Sequence, residues 1–193
     1  MNIRLISGLF KNHKISAPNS RRTHPMSERS RNAIFNKIQS ELPGADILDT
    51  FAGTGALGVE ALSRGAKSAT FIEKDRLAQK ILADNLEILD KNDLAGEAKL
   101  IRSSVSAWLN STNAQLELGE IEELPMFDII FADPPYYDPQ FPTIERLSTR
   151  LKPGGMLILS QPKEIDTFES LEFRKTDEKL YSGAKIIFLE KTE

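Results

Sequence analysis

The sequence predicts an α/β fold, a seven-stranded, mostly parallel sheet with helices on both faces. Three observations carry this reading. From residue 46 onward, short strand-like apolar runs alternate with amphipathic stretches of helical period. The run Phe127-Asp128-Ile129-Ile130-Phe131-Ala132 is almost continuously apolar, as a strand buried on both faces requires. Glycine and proline punctuate the joints, at Pro43-Gly44, at Gly65 and at Lys152-Pro153-Gly154-Gly155.

Each element follows in order. Ile3-Arg4-Leu5-Ile6-Ser7 alternates as a short strand, and Lys14-Ile15-Ser16 is placed to pair with it. Residues 17–26 hold two prolines among small polar groups and read as a loop. Ser27 is an N-cap candidate, and Ala33, Ile34, Ile38 and Leu42 recur at helical spacing, predicting a helix that ends near Pro43-Gly44. The sheet then opens with Ile47-Leu48-Asp49-Thr50-Phe51. Leu57, Ala61 and Leu62 mark a helix that stops near Gly65, and Ala69-Thr70-Phe71-Ile72 is the second strand. Leu77, Ile81, Leu82, Leu86 and Leu89 mark a long amphipathic helix. Lys99-Leu100-Ile101 is the third strand, followed by a short helix over 104–109. Residues 110–125 are polar and acidic and read as a surface loop or a poorly ordered insertion. After the fourth strand at 127–132, Ile144, Leu147 and Leu151 predict a helix. A fifth strand at 156–159 and a hairpin at 171–176 and 185–189 close the chain. The expected division is a hairpin-and-helix extension over 1–44 and an α/β domain over 45–193.

Composition narrows the function. The 193 residues carry no cysteine and only two histidines, which excludes disulfides, thiol nucleophiles and histidine-rich metal sites, so no metal is expected. No apolar window approaches the ~18 residues of a membrane span, and the N-terminus lacks the apolar core of a secretory signal. A cytoplasmic monomer is the expectation. The net charge of −3 hides a split: residues 1–40 carry +7 and the remainder −10. That asymmetry suggests an extension that binds a polyanion, with a solvated basic segment as the plainer alternative.

In open parallel sheets, ligands bind beyond the carboxyl ends of the strands, at the topological switch point. Two motifs fall there. After the first sheet strand, Gly53, Gly55 and Gly58 satisfy G-x-G-x-x-G between a strand and a helix. Glu73 follows the second strand, where a carboxylate can accept both hydroxyls of a ribose. A dinucleotide and S-adenosylmethionine both fit this pattern. Asp49, four residues ahead of the first glycine, would repel a diphosphate and suit the ammonium group of a methionine moiety. Ser104 and Val105, after the third strand, are placed to receive an adenine, and Ser104 is equally a helix N-cap. Asp49, Phe51, Ala52, Gly53, Thr54, Gly55, Glu73, Lys74, Ser104 and Val105 form the candidate cofactor set.

The fourth strand runs into Asp133-Pro134-Pro135-Tyr136. Two prolines remove two N–H donors and stiffen the chain. What remains is rich in acceptors: the Asp133 carboxylate and the Pro134 carbonyl, with the Tyr136 ring beside them. An exocyclic amine conjugated to a base is a poor nucleophile until its N–H groups are held by acceptors. Such bonds strengthen as positive charge develops on nitrogen during methyl transfer. Tyr136 is placed to stack on the ring.

The run Asp49-Thr50-Phe51-Ala52-Gly53-Thr54-Gly55-Ala56-Leu57-Gly58-Val59-Glu60-Ala61-Leu62-Ser63-Arg64-Gly65, paired with Asp133-Pro134-Pro135-Tyr136, resembles the Rossmann-like class I S-adenosylmethionine-dependent methyltransferases. More narrowly it resembles the bacterial RsmD family, which methylates guanine N2 in small-subunit ribosomal RNA. The opening segments Ile3-Arg4-Leu5-Ile6-Ser7-Gly8, Pro25-Met26-Ser27-Glu28-Arg29-Ser30-Arg31 and Phe35-Asn36 are similar to that family's. The resemblance implies S-adenosylmethionine as cofactor and ribosomal RNA, or an assembling small subunit, as partner. It gives Asp133, Pro134, Pro135 and Tyr136 the catalytic roles, and places Arg4, Lys11, Lys14, Arg21, Arg22, Arg29 and Arg31 on RNA phosphates.

This chain departs from the family pattern at Phe10-Lys11-Asn12-His13-Lys14, where the basic cluster is thinner, and at His24, Ser104 and Ser160-Gln161. The departures leave the reaction class intact and bear on the identity of the RNA target. The alternatives are an adenine-N6 DNA methyltransferase, a dinucleotide-dependent oxidoreductase and a noncatalytic RNA-binding module.

Overall fold

The computed structural model describes residues 1–18, 26–89, 95–181 and 183–192. The chain opens with a two-stranded antiparallel hairpin, β1 (Asn2–Arg4) and β2 (Lys14–Ser16), in which Ile3 faces Ile15. Helix α1 (Glu28–Lys37) starts at Ser27, whose Oγ accepts the Ser30 N–H at 3.1 Å. The helix ends a turn earlier than the apolar spacing predicts. Ile38 and Leu42 are still buried, but they reach the core from the helix C-cap and the irregular segment after it.

The domain proper follows: β3 (Asp46–Thr50), α2 (Ala56–Ser63), β4 (Ser68–Glu73), α3 (Arg76–Leu86), β5 (Glu97–Arg102), α4 (Val105–Glu117) and β6 (Phe127–Ala132). Helix α5 (Phe141–Arg146) runs into a 3₁₀ turn (Leu147–Arg150), and β7 (Leu151–Pro162), β8 (Phe173–Tyr181) and β9 (Ala184–Lys191) end the chain. The strand order is β5-β4-β3-β6-β7-β9-β8, with the first five parallel and β9 antiparallel to both neighbours. The chain winds outward from β3 to β5, then returns to place β6 on the other side of β3. The switch point therefore lies between β3 and β6.

Strand pleating sends alternate residues to opposite faces. Ile47, Phe71 and Phe131 join a core with Phe35, Val59, Leu82 and Phe188. Leu48, Ile72 and Ile130 join the other, with Trp108, Leu109, Leu147 and Leu157. Leu5, Phe10, Ile15, Ile34 and Phe35 belong to the first core, so the N-terminal extension packs as part of the same body.

Two sequence expectations are corrected. Helix α4 runs to Glu117, through the first half of the stretch 110–125 expected to be a loop or insertion, while 118–125 hold neither helix nor strand. Arg150, fully buried, donates to Thr112 Oγ1 at 2.9 Å and to Asn113 Oδ1 at 2.6 Å, and its guanidinium lies over the Trp108 ring. Polar contacts thus replace the apolar spacing that would have betrayed the helix. Arg31, expected on RNA, is 2% exposed. Its Nη2 donates to the Arg4 carbonyl at 3.0 Å, and Nη1 lies 3.9 Å from the buried Glu60 carboxylate. No helix among the described residues is long and apolar enough to cross a membrane.

Candidate active site

The parallel register builds the site. Thr50 pairs with Ile72 on one side and Ala132 on the other, so Glu73, Phe51 and Asp133 fall in one row, Glu73 as the last residue of β4 and the other two a step beyond the carboxyl ends of β3 and β6. Thr50 Oγ1 donates to the Phe131 carbonyl at 2.7 Å and clamps the two central strands at that point. Phe51 has φ +59°, a left-handed conformation that a bulky side chain seldom adopts. Strain of this kind persists where the surroundings enforce it, commonly at functional sites.

The three glycines divide their work. Gly53 has φ +55°, and a Cβ there would meet nothing closer than the Phe51 carbonyl at 3.9 Å, so the loop presents bare backbone to open space. Gly55 and Gly58 serve packing: a Cβ would overlap Leu82 at the former and Phe71 at the latter. Only the first glycine leaves room for a ligand.

Glu73 Oε2 accepts the Gly53 N–H at 2.8 Å and Oε1 the Asp75 N–H at 2.7 Å. Each carboxylate oxygen keeps a second lone pair, enough for the two hydroxyls of a ribose. Asp49 is 2% exposed, and among the described residues its carboxylate accepts one hydrogen bond, from Gly58 N–H at 2.9 Å. Burial pushes its carboxyl well above the usual range, and the neighbouring charges of Asp133 and Glu73 push it further. Burial likewise raises Asp133 to about 6, an effect partly offset by the nearby Ser160 hydroxyl. Three carboxylates therefore converge at the switch point. Among the described residues none of them has a salt-bridging cation.

Of the other expected residues, Ala52 is buried and its N–H donates to the Ile72 carbonyl, while Thr54 is half-buried in the loop. Ser104 caps α4, accepting the Ala107 N–H at 3.2 Å, with Val105 buried behind it. Lys74 is exposed. Pro134 and Pro135 carry the chain from β6 to Tyr136, which is 44% exposed and hydrogen-bonds Ser160 Oγ through its hydroxyl at 3.2 Å. Arg4, Lys11, Lys14 and Arg29 are exposed, Arg4 in an ion pair with Glu28. Arg21 and Arg22 lie outside the described residues.

Sequence reasoning missed three groups: Ser160, which holds Tyr136; Glu60, which accepts the Ile6 and Ser7 N–H groups at 2.7 and 3.0 Å; and Asn85, which touches the glycine loop. Two of them carried a signal. Glu60 is the one charge in the run Leu57-Gly58-Val59-Glu60-Ala61-Leu62, and Asn85 stands in register with Ile81, Leu82 and Leu89.

Comparison with known proteins agrees with this architecture. Over 135 residues the chain is 34% identical to Ribosomal RNA small subunit methyltransferase D of Haemophilus influenzae, a match covering 70% of this chain and 64% of that relative, less than two thirds of its length. The YlbH protein of Bacillus subtilis is 30% identical over 172 residues, 88% of each chain. The solved structure of the Escherichia coli protein yhhF superposes with a TM-score of 0.82 at 28% identity, covering 99% of this chain and 98% of that one. A family model described as conserved hypothetical protein 95 matches residues 3–190, and the chain belongs to that family, the RsmD family.

Proposed function

We propose that this protein transfers a methyl group from S-adenosylmethionine to an exocyclic amine, guanine N2 of small-subunit ribosomal RNA. The observation that carries the reading is the cluster of Asp49, Glu73 and Asp133 without a cation beside the acceptor-rich turn at Pro134. Carboxyl groups whose ionisation is penalised by burial and by one another are relieved by a cationic ligand and burdened further by a pyrophosphate, which argues against the dinucleotide alternative. The residues present fit S-adenosylmethionine: Glu73 for the ribose, the bare Gly53 backbone for close approach, Asp49 for the cationic methionine end, and the Ser104-Val105 helix start for the adenine. When bound, S-adenosylmethionine supplies an electrophilic methyl carbon on a sulfonium.

The chain's own residues do the rest. Asp133 and the Pro134 carbonyl accept the two N–H bonds of the amine, which aims the nitrogen lone pair away from them. As the carbon–nitrogen bond forms and the carbon–sulfur bond breaks, positive charge grows on nitrogen and both hydrogen bonds strengthen. A carboxylate titrating near 6 is ionised at neutral pH and basic enough to take the released proton. Tyr136, steadied by Ser160, stacks on the unpaired base. Lys11, Lys14 and Arg29, with Arg21 and Arg22, hold RNA phosphates, while Arg31 has a structural role.

Two experiments test this. Calorimetry should detect binding of S-adenosylmethionine and none of NAD. Labelled donor should methylate small-subunit RNA, naked or in a partly assembled subunit, and leave DNA unmodified, with N2-methylguanosine as the digestion product. A methylated adenine in the digest would overturn the target, and NAD binding would overturn the cofactor.

A further inference from the structure

Asn85 lies on α3, 5% exposed, in a row otherwise apolar. Its Oδ1 accepts the Ser16 N–H at 2.7 Å, and its Nδ2 donates to the Ser16 carbonyl at 2.9 Å and to the Thr54 carbonyl at 2.9 Å. The partners fix the amide's orientation, since a backbone N–H only donates and a carbonyl only accepts. One side chain therefore satisfies both backbone groups of Ser16, at the end of the N-terminal hairpin, and spends its second proton on the cofactor loop. Thr54 sits between Gly53 and Gly55, both at positive φ, where no Cβ restrains the backbone. Asn85 supplies that restraint from below.

A second junction ties the same two regions. Helix α2 leads out of the glycine loop, and its Glu60 accepts the Ile6 and Ser7 N–H groups. The hairpin that carries Lys11 and Lys14 is thus held by the helices that flank the loop. We propose that Asn85 is a positioning residue that couples the seating of the hairpin to the conformation of the cofactor loop, so that RNA contact and cofactor binding strengthen each other. This rests on the reading of the site as an S-adenosylmethionine and RNA site. Coupling of this kind is reciprocal: whatever factor RNA gives to cofactor affinity, the cofactor gives to RNA affinity.

The test uses the full chain, S-adenosylhomocysteine as the cofactor probe and naked small-subunit ribosomal RNA. Asn85→Asp keeps the volume and the acceptor for Ser16 N–H, removes both donors, and sets an anionic oxygen against two carbonyls. In the wild type, RNA should tighten S-adenosylhomocysteine binding by at least about fivefold. In Asn85→Asp that factor should fall to one, with amide exchange speeding up at Ser16 and across residues 52–55 while the distant β8–β9 hairpin keeps its protection. A merely structural role would loosen the whole chain and leave the factor unchanged, and that result would overturn the proposal.

If the variant does not fold, the wild type decides. Saturating S-adenosylhomocysteine should slow exchange at Ser16, and an unchanged rate there also overturns the coupling. Absence of S-adenosylhomocysteine binding to the wild type is a different failure. It would remove the proposed function and take this inference with it.

Discussion

The two ends of the parallel sheet treat their carboxylates in opposite ways. At the amino end, Asp46 and Asp128 share the Lys152 ammonium, each at 2.8 Å, and Asp46 also accepts the Ser68 hydroxyl at 2.7 Å. Burial alone would raise the Asp46 carboxyl, but the bonds from Lys152 and Ser68 outweigh it and hold the group below the usual range. At the carboxyl end, Asp49 and Asp133 are raised, and no described cation answers them. Stability is served at one end, and a charged, strained, partly open site is maintained at the other. That contrast separates a scaffold from a site more sharply than surface shape does. A recess also opens at the amino end, between Pro43–Ala45 and Pro153–Met156, but of its two acids Asp128 is paired with Lys152, and Glu41 accepts the hydroxyl of its neighbour Ser40 at 2.9 Å.

Removing Asp133 should break the contrast most severely. Asp133→Ala is expected to cost about 3–4 kcal/mol of transition-state stabilisation, roughly 10²–10³ in single-turnover methylation, with donor affinity nearly unchanged. The same change should stabilise the unliganded protein. A raised carboxyl pKa means that the fold disfavours the ionised form, so the penalty develops as pH rises from the unfolded value of 3.8 toward about 6 and is complete above it. Denaturation at pH 7 should therefore show a gain of at most about 3 kcal/mol for the variant, fading at pH 4. For the wild type, kcat/KM should fall as pH drops through about 6. Normal turnover in Asp133→Ala would leave the acceptor role without support.

Glu73→Ala sharpens the comparison within the site. Glu73 holds the Gly53 and Asp75 N–H groups, and the proposed function also assigns it the hydroxyls of the donor's ribose. A charge-assisted bond is worth about 1.5–3 kcal/mol, so the net loss of even one should lower donor affinity roughly 10- to 100-fold by calorimetry. Unchanged affinity in a folded variant would place the ribose elsewhere.

Next come the two glycines that the motif treats alike. Gly58→Ala should lower stability by about 1–3 kcal/mol through overlap with Phe71, an overpacking effect read by denaturation. Gly53→Ala meets open space, so its stability cost is limited to a methyl at φ +55°, about 1–2 kcal/mol, and its main effect should be lost donor affinity. Equal loss of donor affinity in both would erase the division between them.

What the sequence made legible follows from periodicity. The strand–helix alternation and the seven strands, including the terminal hairpin, could be read because apolar residues mark buried faces. The glycine loop and the Asp133-Pro134-Pro135-Tyr136 turn could be read because their chemistry is local. Interactions across long sequence separations could not. Arg31 reads as an RNA-facing charge because nothing near it in the sequence reveals Glu60, 29 positions on, toward which its guanidinium is buried. The second half of α4 depended on Arg150, and the loop restraint on a single asparagine. Buried polar partners leave no period in a sequence.

The smallest effect belongs to the amino end. Lys152→Met removes an ammonium that two carboxylates share, but more than a third of that side chain is exposed, and solvent discounts the pair to about 1 kcal/mol. The sign can be fixed from both partners. The Asp46 carboxyl is held low in the fold, so its contribution is present above the unfolded value of 3.8 and is lost as pH falls through its folded value. Lys152 is raised by its bonds to Asp128 and Asp46, so its contribution is present below 10.5 and is lost as pH rises beyond its folded value. The wild type should therefore exceed Lys152→Met in stability across neutral pH, and the two should converge in strong acid. Donor affinity and turnover should not change, because Lys152 joins the beginnings of the strands and the site lies past their ends. A Lys152→Met protein with impaired donor binding would show that charge at the amino end reaches the site, and the two ends would no longer be separable.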